Sequence, residues 1–314
     1  MRAMVINAYG PPEVLQEATV ALPNPGPEQL LIEVRAAGVN PIDWKIRKGN
    51  FRLITGRRFP KILGTDIAGI VKETGKNVTG FKIGDEVMAM INVMTGRGGY
   101  AEFAVTSEKY TCRKPANLSF AEAAALPGSA ITALQVLRSK VRLNKDQHLL
   151  LNGASGGVGT YGIQIAKILG ARVTGVCSGR NADLVSSLGA DRVIDYTKTN
   201  ITGQDQTYDV IFDAVGNLDF GACKASLSAH GTFITIVPSA KKILLSLLMA
   251  MLPGRKCKFV SAMPNRDDLL WLKEKTEENK LRVVMDRTYP LQQATEAHIY
   301  MEEGHARGKV VLTL

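Results

Sequence analysis

The sequence predicts an α/β fold in which a doubly wound parallel sheet is inserted into a β-rich domain completed by both ends of the chain. Three observations predict it. Leu149–Asn152 is an apolar strand that ends in the small-residue turn Gly153-Ala154-Ser155-Gly156-Gly157-Val158-Gly159, and residues 161–169 continue with helical spacing. Short apolar strands then alternate with helical stretches, as in βαβ units. Before residue 120 and after residue 265 the chain instead carries short strands broken by turn clusters. The expected division is 1–121 plus 266–314 for the β-rich domain and 122–265 for the inserted one.

In chain order, Met1–Ile6 reads as the first strand. Strands at 30–36, 69–72, 86–90 and 102–105 follow, punctuated by Pro23-Asn24-Pro25-Gly26-Pro27, Thr74-Gly75-Lys76-Asn77 and the Gly80–Asp85 turn. Residues 121–137 carry one helical pattern. After the strand, turn and helix of 149–169 come strands at 171–177, 192–196, 208–214 and 231–237. Strands at 280–286 and 309–314 enclose a helix at 291–303. One apolar run, Ile243–Leu252, is flanked by Lys241, Lys242, Arg255, Lys256 and Lys258. It is too short to span a bilayer. It is expected to wall a substrate pocket or form a subunit contact, in preference to peripheral membrane contact.

The turn at 153–159 carries the chemistry. Gly156 and Gly157 let backbone approach a pyrophosphate closely, and Gly159 lets the helix pack tightly on the strand. Ala154, Ser155 and Val158 complete the loop, with Ala154 at the position of the first glycine of the dinucleotide fingerprint. The free amides and positive dipole of the helix start face the anion. The next strand ends in Ser178-Gly179-Arg180-Asn181, with no carboxylate before Asp183. A carboxylate there would hold the ribose hydroxyl of NAD, whereas Ser178 and Arg180 suit a 2′-phosphate. The expected cofactor is therefore NADPH, unless Arg180 is only a solvated charge. Tyr196 is placed to add its hydroxyl to that phosphate or to cover the adenine. Ala214, Val215 and Val237 follow strand ends and are expected to border the nicotinamide.

Composition narrows the classes. A chain of 314 residues with 45% hydrophobic residues supports two cored domains. The net charge of +10 is spread along the sequence, without the basic stripe or motif of a nucleic-acid binder. Cys112, Cys177, Cys223 and Cys257 form no close pair, which fits reduced thiols and a cytoplasmic location. The first residues lack the apolar core of a signal peptide.

Further motifs give the chain a family resemblance. These are Ala37-Gly38-Val39-Asn40-Pro41-Ile42-Asp43-Trp44-Lys45, Gly64-Thr65-Asp66-Ile67-Ala68-Gly69 and Gly99-Tyr100-Ala101-Glu102-Phe103. Ala123-Ala124-Ala125-Leu126-Pro127 and Gly308-Lys309-Val310-Val311-Leu312 extend them. With the 154–159 loop, they resemble the medium-chain dehydrogenase/reductase superfamily, in its zinc-free quinone oxidoreductase and enone reductase branch. The resemblance implies a Rossmann-type NADPH domain inserted into a GroES-like catalytic domain, and a homodimer.

The same resemblance places the Asn40–Lys45 segment beside the nicotinamide, with Asn40 and Lys45 as hydrogen-bond donors and Asp43 orienting its neighbours. Asn40 is alternatively a turn residue before Pro41, and Lys45 a solvated charge. Tyr100 is either a proton donor or a packing residue. Thr132 matches a position near the nicotinamide. Lys309 matches a basic residue near the pyrophosphate, or is an exposed strand end. At the zinc-ligand positions of related alcohol dehydrogenases stand Asn40, Thr65 and the Pro127-Gly128 region, and none of the four histidines matches a ligand, so no metal is expected. The reaction implied is hydride transfer from NADPH to an apolar quinone or to the C=C bond of an α,β-unsaturated carbonyl. The alternatives are a trans-2-enoyl thioester reductase and a non-enzymatic, NADPH-binding regulatory or crystallin-like protein.

Overall fold

The computed structural model describes residues 1–202, 206–250 and 252–314. The chain forms two units, Met1–Ile131 with Pro264–Leu314 (unit 1), and Thr132–Met263 (unit 2).

Unit 1 begins with strands β1 (Arg2–Ile6), β2 (Leu15–Thr19), β3 (Gln29–Val39), β4 (Lys61–Ile62), β5 (Asp66–Thr74), β6 (Glu86–Met90), β7 (Phe103–Ser107) and β8 (Thr111–Arg113). Helices α1 (Pro41–Arg47) and α2 (Arg52–Thr55) lie between β3 and β4, and α3 (Phe120–Ala125) follows β8. The expected helix at 121–137 is broken. Pro127 has no amide to continue α3 and opens a second helix, α4 (Pro127–Leu134). The first of these packs on β3 and β5, so the unit boundary falls after residue 131 rather than 121.

Unit 2 holds β9 (His148–Asn152), α5 (Gly157–Ile168), β10 (Arg172–Cys177), α6 (Ala182–Ser187), β11 (Arg192–Asp195), β12 (Tyr208–Asp213), α7 (Phe220–Cys223), β13 (Leu227–Thr235), α8 (Ala240–Ala250) and β14 (Lys256–Phe259). All six strands are parallel, in the order β11-β10-β9-β12-β13-β14. Strand order reverses at β9, so the turn after β9 lies at a switch point of the sheet. Met251 of the apolar run lies outside the described residues, as do the side chains of Lys241 and Ala250.

The chain then returns to unit 1 through α9 (Arg266–Glu277), β15 (Met285–Pro290), α10 (Ala294–Glu302) and β16 (Lys309–Thr313). The strand expected at 280–286 starts later. Lys280 and Leu281 donate their amides back to Lys275, and Asn279 is left-handed at φ 57°, so the end of α9 consumes these residues. The last strand, β16, runs antiparallel to β3, pairing Val310 with Val39 and Leu312 with Ala37. This register places Lys309 next to the β3–α1 junction. A three-stranded sheet, β2-β1-β4, completes the unit.

Leu150, Val176, Ile211, Phe233 and Cys257 come from adjacent parallel strands and form one buried layer of unit 2. Phe233→Ala should cost roughly 3–5 kcal/mol there. Both tryptophans, Trp44 and Trp271, lie in unit 1, so amide hydrogen exchange along β9 and β12 is the suitable reading. Unchanged protection of those strands would contradict this core assignment.

Candidate active site

The two units carry separate constellations. In unit 2, Gly153 turns left-handed at φ 83° after β9, and a Cβ at Gly159 would lie 2.1 Å from its carbonyl oxygen. Only glycine lets α5 start so close to the strand end. Gly156 stands at the N-cap and has no side chain with which to cap it. The first-turn amides are thus left for an exogenous anion. A Cβ at Gly156 would meet nothing nearer than 3.5 Å, so the cradle is open on that side.

Asn181 ties the next turn to this one. Its Nδ2 donates to Ser155 Oγ at 3.0 Å and to Ser178 Oγ at 3.4 Å. Arg180 is exposed, with no charged partner among the described residues, and Tyr196 is 51% exposed. The loop therefore presents the Ser178 hydroxyl and an exposed Arg180 guanidinium. One carboxylate was not anticipated. Asp195 ends β11, beside Cys177 in register, and its Oδ2 would lie 2.5 Å from a Cβ on Gly179. Thr197 donates its amide at 3.0 Å and its hydroxyl at 2.7 Å to Asp195, holding that carboxyl below its usual range.

The turn bearing Ala214 and Val215 is built by Asp213, which is fully buried at the end of β12. Its carboxylate accepts the amides of Gly216 at 2.8 Å and Val215 at 3.3 Å, Asn152 Nδ2 at 2.9 Å and Lys242 Nζ at 3.4 Å. The close approach of Gly153 to Val215, and of Gly216 to Val237, brings these turns together at one edge of the sheet. Thr132, half-buried on α4, opens the same unit. Asn152, Asp213 and Lys242 were missed from sequence. The available signal was a carboxylate closing an apolar strand just before a glycine turn.

In unit 1, Asn40 links β3 to α1. Its backbone amide donates to Asp43 Oδ2 at 2.8 Å, closing the first helical turn. Its side-chain amide donates to Thr65 Oγ1 at 2.8 Å and Asp66 Oδ2 at 2.9 Å, and its Oδ1 accepts Lys309 Nζ at 2.5 Å. All donors of this amide are used, so Asn40 positions its neighbours rather than donating to a substrate. Lys309 is buried, also donates to Ser129 Oγ at 3.1 Å, and lies 3.8 Å from Asp66 Oδ2. It is neither an exposed strand end nor a phosphate ligand, because its ammonium is consumed inside the unit. Burial pushes Asp66 up and Lys309 down, and their attraction opposes both shifts.

Tyr100 is also buried. Its hydroxyl donates to Asp43 Oδ2 at 3.1 Å and lies 3.3 Å from His298 Nε2. Burial, then the neighbouring Asp43 charge, hold the phenol well above its usual range. Tyr100 therefore packs and holds Asp43; it is not a substrate-facing acid. Lys45 is half-buried, 5.4 Å from the Trp44 ring centroid, and no described residue accepts a hydrogen bond from it. Burial lowers its pKa. Of the residues expected to act on a substrate, Lys45 retains free donors.

The alcohol dehydrogenase GroES-like domain matches residues 26–116, and a zinc-binding dehydrogenase domain matches 188–312. A chloroplast envelope quinone oxidoreductase homolog of Arabidopsis thaliana is 35% identical, over 99% of this chain and 98% of its own. The chain belongs to the medium-chain dehydrogenase/reductase superfamily, in its quinone oxidoreductase and enone reductase branch. An NADPH-dependent alkenal/one oxidoreductase of the same plant is 37% identical over 99% of this chain and 79% of its own. The quinone oxidoreductase structure from Coxiella burnetii superposes with a TM-score of 0.92 at 31% identity, covering 100% of this chain and 99% of the other.

Zinc, which one matched domain is named for, does not fit the residues of this reductase. Asn40 and Thr65 offer amide and hydroxyl oxygens that are already hydrogen-bonded, and no group of three His, Cys, Asp or Glu among the described residues is arranged to hold a metal ion.

Titration of the buried cluster has a definite sign. Burial raises Asp43 to about 7, against about 4 when unfolded. Between these values the unfolded chain has released a proton that the folded chain keeps, so stability falls as pH rises. Burial lowers His298 to about 3, so its contribution is lost as pH falls below about 6.5. The two oppose each other from about pH 4 to about pH 6.5. Asp43→Asn should make unfolding free energy climb with pH relative to the parent, and His298→Gln should make it fall. Parallel pH profiles for all three proteins, in urea unfolding, would refute the assignment.

Proposed function

We propose that this chain is an NADPH-dependent oxidoreductase that transfers hydride to a quinone or to the C=C bond of an α,β-unsaturated carbonyl. The uncapped start of α5 behind Gly156 and Gly157, joined through Asn181 to the turn carrying Ser178 and Arg180, supports this reading most strongly. The names of the plant relatives agree with it.

Bound there, NADPH supplies the hydride. The amides at the start of α5 hold the pyrophosphate, and Ser178 and Arg180 hold the 2′-phosphate. Asp195, kept occupied by Thr197, leaves the guanidinium free for that role. Asp213 fixes the turn on which Ala214 and Val215 border the nicotinamide. Hydride arriving at carbon leaves negative charge on the acceptor oxygen, as an enolate or phenolate. Lys45 stabilises that charge by a charge-assisted hydrogen bond. Its lowered pKa makes it a better proton donor than an ordinary lysine. Asn40, Asp43 and Tyr100 are positioning residues that hold the start of α1, the helix that carries Lys45.

Arg180→Ala should raise the KM for NADPH about 10- to 100-fold, the value of one charge-assisted hydrogen bond, with little change for NADH. Equal losses with both cofactors would exclude a 2′-phosphate role. NADPH oxidation should be observed with a quinone, an alkenal or a ring enone, and Lys45→Met should lower kcat about 100-fold while leaving NADPH affinity intact. No oxidation with any of these acceptors would overturn the proposal.

A further inference from the structure

Next to Lys45 on α1 stands Trp44, a half-buried residue whose polar atom is unused. Its Nε1 is shielded from solvent and meets no hydrogen-bond acceptor among the described residues. An indole N–H left unpaired in this way carries a cost that a purely apolar side chain would not. What Trp44 contributes is therefore its ring, and the ring is flanked by two cations. Lys45 Nζ lies 5.4 Å from the ring centroid and Lys48 Nζ 5.0 Å. Both are inside the roughly 6 Å over which the negative face of an aromatic ring attracts an ammonium.

The two cations are not equivalent. Lys48 stands four residues after Trp44, one helical turn along the same face. It pairs with Glu302 of α10, which also pairs with Arg47. That carboxylate offsets the Lys48 charge and ties one neighbour of the ring to a second helix. Lys45 has no such partner: no described carboxylate forms an ion pair with it, and burial alone acts on its pKa. Consecutive helical residues do not face each other. Lys45 thus reaches the ring by bending its stem back along it. Ordering a lysine stem is costly, and the indole is the group that offsets the cost.

We infer that Trp44 is a positioning residue for the reduction: its ring holds the Lys45 ammonium ready for the acceptor oxygen, and the Lys48–Glu302 pair holds the ring. This rests on the reading of Lys45 as the donor to that oxygen.

The test is a kinetic cycle on the full chain at saturating NADPH. The acceptor is whichever of a quinone, an alkenal and a ring enone the parent reduces fastest. Trp44→Leu removes the aromatic face and should lower kcat about 10-fold, with NADPH affinity unchanged. Trp44→Phe keeps an aromatic face and should hold kcat within about 3-fold of the parent. In a Lys45→Met background, Trp44→Leu should change kcat by less than about 2-fold, because the ammonium held by the ring is gone. A packing role alone would lower kcat equally in both backgrounds. The inference is overturned by that equality, by a Trp44→Leu variant as active as the parent, or by a Trp44→Phe variant as impaired as Trp44→Leu. A Lys45→Met variant as active as the parent would overturn it together with the reading of Lys45. Absence of oxidation by the parent would overturn it together with the proposed function, so the three failures are told apart.

Discussion

The ammonium of Lys309 lies inside unit 1, between the Asp66 carboxylate, the Asn40 amide oxygen and the Ser129 hydroxyl. A buried charge is tolerated only when its hydrogen-bonding capacity is met, and here β16 brings the charge to groups that meet it. Asp66 in turn accepts the Gly128 amide at 2.9 Å and the Asn40 side chain. One interaction thus joins the last strand, the β3–α1 junction, the start of β5 and the start of α4. Removing Lys309 or Asp66 alone leaves the other without its charged partner in the interior. The conformation of the Asn40–Lys45 segment follows from that constraint.

The second constellation obeys the same logic with an acid at its centre. Asp213 gathers the amides of the turn after β12, the Asn152 side chain and the Lys242 ammonium. A buried carboxylate with several donors holds the turn in one conformation without needing a side chain from the turn itself. In both units, then, buried polar residues behind a turn or a helix start fix its position.

What sequence revealed divides along this line. The α5 loop was legible because glycine is required by local backbone geometry, as the Gly153 and Gly159 contacts show. The turn carrying Ser178 and Arg180 was legible because the end of a strand is a local feature. Lys309 and Tyr100 were not, because burial of a lysine or the partner of a phenol depends on strands far apart in sequence. Asp195 was hidden for the same reason: it reaches Gly179 from the neighbouring strand, not along the chain. Asp213 resembled any acid at a strand end until its donors were seen. Errors in element boundaries were also non-local or cap effects, such as the break at Pro127 and the extended end of α9 at Leu281.

The most direct test is a double-mutant cycle on Lys309 and Asp66, read as unfolding free energy with Lys309→Met, Asp66→Asn and the pair. The double variant should be less destabilised than the sum of the single ones, with a coupling of about 2 kcal/mol or more. Additive losses would mean that the two groups do not sense each other, and the framework behind Asn40 and Lys45 would then lack its foundation.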